Sequence, residues 1–135
     1  MHPLIQQYQE VNQFGKANGM ELSILSPGKI QYTMMVKPAH MATPIVMHGG
    51  MIAGMMDAVV SVAGLSLTAE LGQYVNTVEF KITFFKPAQL GDVLTGIGEI
   101  VKPGKTILFS EGTIFNQNNE IIAKATATLS RYIPK

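Results

Sequence analysis

The segment HGGMIAGMMDAVVSVAG, residues 48–64, carries one charged group, Asp57, between Met56 and Ala58. Aspartate is a poor residue for a helix interior because its side chain competes for backbone hydrogen bonds. No lysine or arginine stands three or four residues away to pair with it. A position that breaks local rules in this way marks strain or function, and a carboxylate there could hold a water against a reacting carbonyl. The plain alternative, a cap or an ion pair with a distant lysine, has less to support it here. The same segment opens on His48-Gly49-Gly50. Glycines at a helix start leave backbone N–H groups uncovered at the positive end of the helix dipole, where they can hold an oxyanion. His48 reads as a loop-fixing side chain rather than a catalyst. With Gly50 and Ser61 it is expected to line the place where a substrate sits.

Successive helical residues turn by 100°, which puts Gly50, Ala53, Gly54, Ser61, Gly64 and Thr68 within about 60° of Asp57. The opposite face carries Ile52, Met55, Val59 and Val62. The bulky face fits a core against a sheet, and the small face fits a surface approached by a ligand or another backbone. Gly49 and Asp57 are eight residues apart, about 12 Å along one helix. A carbonyl polarised at one and attacked by water held at the other needs them closer. Two copies packed through the small faces would supply the missing proximity, so an obligate homodimer with two interface sites is expected.

The remaining composition narrows the field. The 135 residues predict one domain over 1–135, and 47% hydrophobic against 14% charged residues excludes disorder. A net charge of +1 without a lysine or arginine run removes the footprint of a nucleic-acid binder. There is no cysteine, and three scattered histidines, His2, His40 and His48, make no metal site. Residues 48–69 approach the length of a membrane span, but Asp57 at the centre would cost roughly 2.5–3.5 kcal/mol. No secretory signal is visible at the N-terminus, so a soluble, cytoplasmic protein is expected.

Around the long helix the pattern is strand-like. A short helix is predicted over about 3–14, closed by Gly15 or Asn18-Gly19. MELSIL and KIQYTMMV form a hairpin across Ser26-Pro27-Gly28, and the apolar helix after the loop KPAHMATPIVM stops near Gly72. TVEFKITFF alternates, with Val78, Phe80, Ile82 and Phe84 on one face and Glu79, Lys81 and Thr83 on the other. The turns KPAQLGD, KPGK and NQNNE separate three more strands, and Ala123, Ala125 and Ala127 share a face with Ile121 and Leu129. Short turns between neighbours predict an antiparallel sheet, and a helix apolar nearly all round predicts that the sheet curves about it.

HGGMIAGMMDAV, NTVEFKITFFKPAQLGDVL and VKPGKTILF together resemble the hot-dog-fold acyl-CoA thioesterases, in particular the PaaI-like (phenylacetate-degradation) branch, from roughly Gly19 to Tyr132. The resemblance implies an α+β hot-dog fold and hydrolysis of an acyl- or aroyl-CoA thioester to free acid and CoA. It implies no metal or cofactor, CoA being part of the substrate, and homodimers that pair into homotetramers. Asp57 would act as general base or nucleophile and the Gly49 N–H would polarise the carbonyl. Thr77 stands where relatives carry a Ser or Thr that helps hold the attacking water. The turn Lys102 to Lys105 resembles the region that meets the CoA phosphates and pantetheine. One position departs: relatives carry an Asn six residues before the His, and here it is Ala42, with Thr43 and His40 nearby. The alternatives are a non-catalytic acyl-CoA-binding module and a 3-hydroxyacyl-thioester dehydratase using His48 with Asp57.

Overall fold

The computed structural model describes residues 1–133. Its elements run α1 (Pro3–Val11), α2 (Gln13–Asn18), β1 (Glu21–Ser26), β2 (Lys29–Met35), α3 (Gly49–Thr68), β3 (Tyr74–Phe84), β4 (Val93–Pro103), β5 (Ile107–Phe115) and β6 (Ile121–Tyr132). The six strands form one antiparallel sheet in the order β1-β2-β4-β5-β6-β3. It curves about α3, which packs against β2, β3, β4, β5 and β6. This is the hot-dog architecture expected from the sequence. α3 with its following turn is long and apolar enough to cross a bilayer, and here the sheet wraps it and buries most of it.

Glycine decides how closely helix and sheet approach. Ile52, Met55, Val59 and Val62 all face the sheet and are at most 3% exposed. Beneath them, a Cβ on Gly98 would lie 2.1 Å from the Val59 carbonyl oxygen, and one on Gly96 would lie 2.6 Å from Val59 Cγ2. A Cβ on Gly112 in β5 would meet the Met56 sulfur at 2.7 Å. The alanine face of β6 is buried as expected, with Ala123, Ala125 and Ala127 at 0, 6 and 3% exposure. The glycines of β4 and β5 bring the backbones closest.

The structure corrects several expectations. The N-terminal helix is two helices broken at Asn12, whose side-chain oxygen accepts the Gly15 N–H at 3.1 Å and so caps the second. Of the two closing signals, Asn18-Gly19 is the one used, with Gly19 left-handed at φ 70°. The stop near Gly72 is as expected: the helix at 49 runs to Thr68 and through one 3₁₀ turn to a left-handed Gly72 cap. β3 pairs with β6 at the sheet edge, so the KPAQLGD segment crosses between non-adjacent strands and closes no hairpin. Two bulges break the predicted alternation. Val78 is inserted opposite β6 and is 59% exposed, and at Ile122 a second irregularity buries Ile122 with Ala123 and leaves Ile121 38% exposed.

Candidate active site

The bulge at Val78 decides where Thr77 points. Phe80 and Ile82 pair with Ala127 and Ala125 and face α3. Strict alternation would carry Thr77 to the outer face with Glu79 and Lys81. The extra residue returns it inward, opposite the fully buried Leu129. There its hydroxyl donates to Asp57 Oδ1 at 2.7 Å. Asp57 is therefore partnered and half-buried, and pairs with no lysine among the described residues. Hydrogen bonds to a carboxylate are the stronger kind, and this one fixes one oxygen while leaving Oδ2 without a hydrogen bond among the described residues.

The entry to α3 is fixed from several sides. His48 N–H donates to the His40 carbonyl at 2.9 Å, and Met47 N–H donates to the Ala88 carbonyl at 2.8 Å. His48 is the N-cap: its Nδ1 accepts the Gly50 N–H at 2.8 Å. Of the two glycine amides, Gly50's is thus occupied, and Gly49's has no acceptor among the described residues. Both residues are exposed. One free donor at the positive end of a 20-residue helix is the arrangement that holds an oxyanion. A cleft of about 360 Å³ opens beside Gly49, lined by Val46, Met47, Ile52, Phe84, Phe85, Lys86 and Pro87.

The other predicted residues fall into separate places. Ser61, one turn beyond Asp57, lines a second cleft of about 260 Å³ with Tyr8, Val11, Val62, Leu65, Tyr74, Val75 and Tyr132. Lys102 and Lys105 flank the β4–β5 turn, where the Gly104 carbonyl accepts from Arg131 and the Arg131 Nε donates to Gln73. That turn sits at the C-terminal end of α3, so one protomer does not gather these lysines with Gly49. Ala42 lies in the exposed entry loop. Neither neighbour replaces the missing amide. The Thr43 hydroxyl accepts the Ile45 and Val46 N–H groups, and His40 is buried, accepting from Lys37 N–H at Nδ1 and contacting Asn18 Oδ1 through Nε2 at 3.0 Å. Burial, with Lys37 adding to it, holds the His40 pKa below the ordinary histidine value.

The small-residue face of α3 is not wholly open. Phe14 of α2 lies on Gly54, where a Cβ would meet its ring at 2.7 Å, and Gly64 packs toward Leu129 and Val75 of the sheet. Tyr8 of α1 lies near Asp57: burial pushes its hydroxyl pKa up and the Asp57 charge adds to this. The sequence alone missed this cover. The aromatic pair Tyr8 and Phe14, six residues apart on an amphipathic stretch, was the available signal. Among the described residues no cluster of His, Asp or Glu could hold a metal ion.

The thioesterase superfamily profile matches residues 46–123, which include His48, Gly49, Asp57 and Thr77. Acyl-coenzyme A thioesterase 13 of Homo sapiens is 30% identical over 104 residues, covering 76% of this chain and 73% of its own. The Escherichia coli PaaI protein of the phenylacetic acid degradation operon superposes with a TM-score of 0.88 at 23% identity, over 95% of this chain and 90% of that one. A Streptococcus pneumoniae hypothetical thioesterase solved with coenzyme A gives 0.74 at 27% identity, over 86% and 88%. The chain belongs to the thioesterase superfamily and has the hot-dog fold.

Proposed function

We propose that the protein hydrolyses acyl-CoA thioesters at a site shared between two protomers, with Asp57 as general base. The hydrogen bond from Thr77 to Asp57 carries this reading, because it orients a carboxylate that the apolar helix otherwise has no reason to keep. The coenzyme A bound in the S. pneumoniae relative and the acyl-CoA thioesterase name of the human one support the substrate class.

In the proposed reaction Oδ2 of Asp57 accepts a proton from a water, which adds to the thioester carbonyl carbon. Thr77 holds Oδ1 and can accept the water's second proton as a hydrogen bond. Charge on the carbonyl oxygen is met by the Gly49 N–H of the second protomer. Collapse breaks the C–S bond, and the proton on Asp57 passes to the leaving sulfur. No step calls on a metal or cofactor.

Two features support the shared site. The first is separation: Gly49 and Asp57 are about 12 Å apart along one α3. The second is the free edge of β3, an 11-residue strand with exposed Val78 and with exposed Phe84 and Phe85 at its end. An unpaired apolar edge invites another strand. β3 runs antiparallel to α3, with Phe84 against Gly49 and Val75 against Gly64. Self-pairing of β3 about a two-fold axis therefore swings the partner's helix start toward this protomer's helix centre and brings its Lys102–Lys105 turn toward the Gly49 cleft. This pairing is proposed in place of the helix-to-helix packing expected from the small-residue face, part of which Phe14 covers at Gly54. Pairing of such dimers into a tetramer, and a cytoplasmic location, belong to the same proposal.

Release of free thiol from a panel of acyl- and aroyl-CoA esters, lost in Asp57→Asn with the fold retained, is the expected outcome. Ala42 favours one second reading, a module that binds acyl-CoA without cleaving it. Tight binding across the panel with no thiol released would establish that reading instead.

A further inference from the structure

Among the described residues, Lys86 is the one charged residue on the wall of the cleft beside Gly49, whose other walls are apolar side chains and the free Gly49 amide. Its side chain is 47% exposed and pairs with Glu120. That carboxylate is itself held from behind. Asn116, 6% exposed, donates through Nδ2 to Glu120 Oε1 at 3.0 Å, while its own Oδ1 accepts the Asn118 and Glu120 N–H groups. These contacts with Lys86 and Asn116 also hold the Glu120 carboxyl below the usual carboxylate range. The β5–β6 turn thus presents an ionised acid at a fixed place, and the lysine at the cleft rim rests on it.

An exposed ion pair of this kind contributes little to stability, and the ammonium, a mobile point charge, can exchange one carboxylate for the diphosphate that the arm's phosphate belongs to in CoA, which carries two charges. A cleft with one amide donor inside and one cation at its rim fits a ligand with a carbonyl at one end, an uncharged stem and an anion at the other. We propose that Lys86 binds the phosphate that terminates the pantetheine arm of the thioester substrate, on the same protomer as the Gly49 amide, and that Glu120 holds the lysine until the phosphate displaces it. The proposal rests on the thioesterase reading and adds to it a cation that the Lys102–Lys105 turn does not supply within one protomer.

Calorimetric binding of free CoA, phosphopantetheine and pantetheine to the full chain tests it without relying on turnover. Lys86→Gln should weaken CoA and phosphopantetheine about tenfold and leave pantetheine unchanged. Glu120→Gln should tighten the two phosphorylated ligands by about threefold, a gain that a merely structural ion pair would not give. Both side chains are exposed, and thermal midpoints check that the variants are folded. Unchanged CoA binding in Lys86→Gln, an equal loss for all three ligands, or weaker CoA binding in Glu120→Gln would overturn the proposal alone. Wild-type protein that takes up none of the three would overturn it together with the thioesterase reading.

Discussion

The two ends of α3 obey different rules. From Met55 to Thr68 the helix is pressed into the sheet, with Val59 and Val60 fully buried and glycines in β4 and β5 removing every atom that would hold it off. At Gly49 and Gly50 the same helix is exposed, and a Cβ on Gly49 would meet nothing nearer than the Phe84 ring at 3.7 Å. Glycine serves packing at one end and leaves a bare amide at the other. Asp57 sits at the boundary, half-buried, with one oxygen held by the sheet through Thr77.

The contrast breaks most severely at Gly98. Valine there puts a side chain into the Val59 carbonyl and should cost about 3 kcal/mol or more, read as a lower denaturation midpoint or loss of folded protein. At the boundary the effect moves from stability to rate. Asp57→Asn should lower thiol release by about 10²–10⁴-fold with little change in midpoint. Thr77→Val keeps the shape and removes the hydroxyl, and should lower turnover by about 10–100-fold while the fold is retained. A proportional loss of stability in either variant would make the pair a structural fixture.

Thr77 also shows where reading from sequence stops. The long helix, the first hairpin and the strand segments follow from periodicity and turn residues, as does the bulky face of Ile52, Met55, Val59 and Val62. The side of β3 on which Thr77 lies does not follow. Alternation is blind to one inserted residue when that residue, Val78, is apolar and fits either face. The order that places β3 beside β6 depends on pairings distant in sequence, which turn lengths do not encode. The break at Asn12 was written in local chemistry, since Asn12 precedes Gly15 at capping distance, but a continuous amphipathic pattern hid it. Asp57 and Gly49 were legible because each breaks a rule of helix composition. Lys86 breaks none, and only the cleft beside it gives it meaning.

Smaller effects sharpen the comparison at the open end. His48→Ala removes the cap on Gly50 and should cost about 1 kcal/mol, seen as a modest drop in midpoint. His40 gives a pH signature. Its folded pKa lies below its unfolded value near 6.5, so its contribution is fully present above that pH and is lost as pH falls toward the folded value. Protonation at Nδ1 would also remove the acceptor for Lys37 N–H. Midpoints measured between pH 8 and pH 5 should fall on the acid side in the wild type and flatten in His40→Gln.

Mixing two inactive variants tests the shared site most directly. Gly49→Pro deletes the amide donor, and proline suits this first helical position because His48 is already extended at φ −66°, ψ 129°. Asp57→Asn deletes the base. Unfolded together and refolded, half of the dimers should be mixed, each with one intact site, restoring about a quarter of wild-type thiol release. Activity that stays at the level of the separate variants, with mixed dimers present by mass, would place acid and amide in the same protomer and contradict the account.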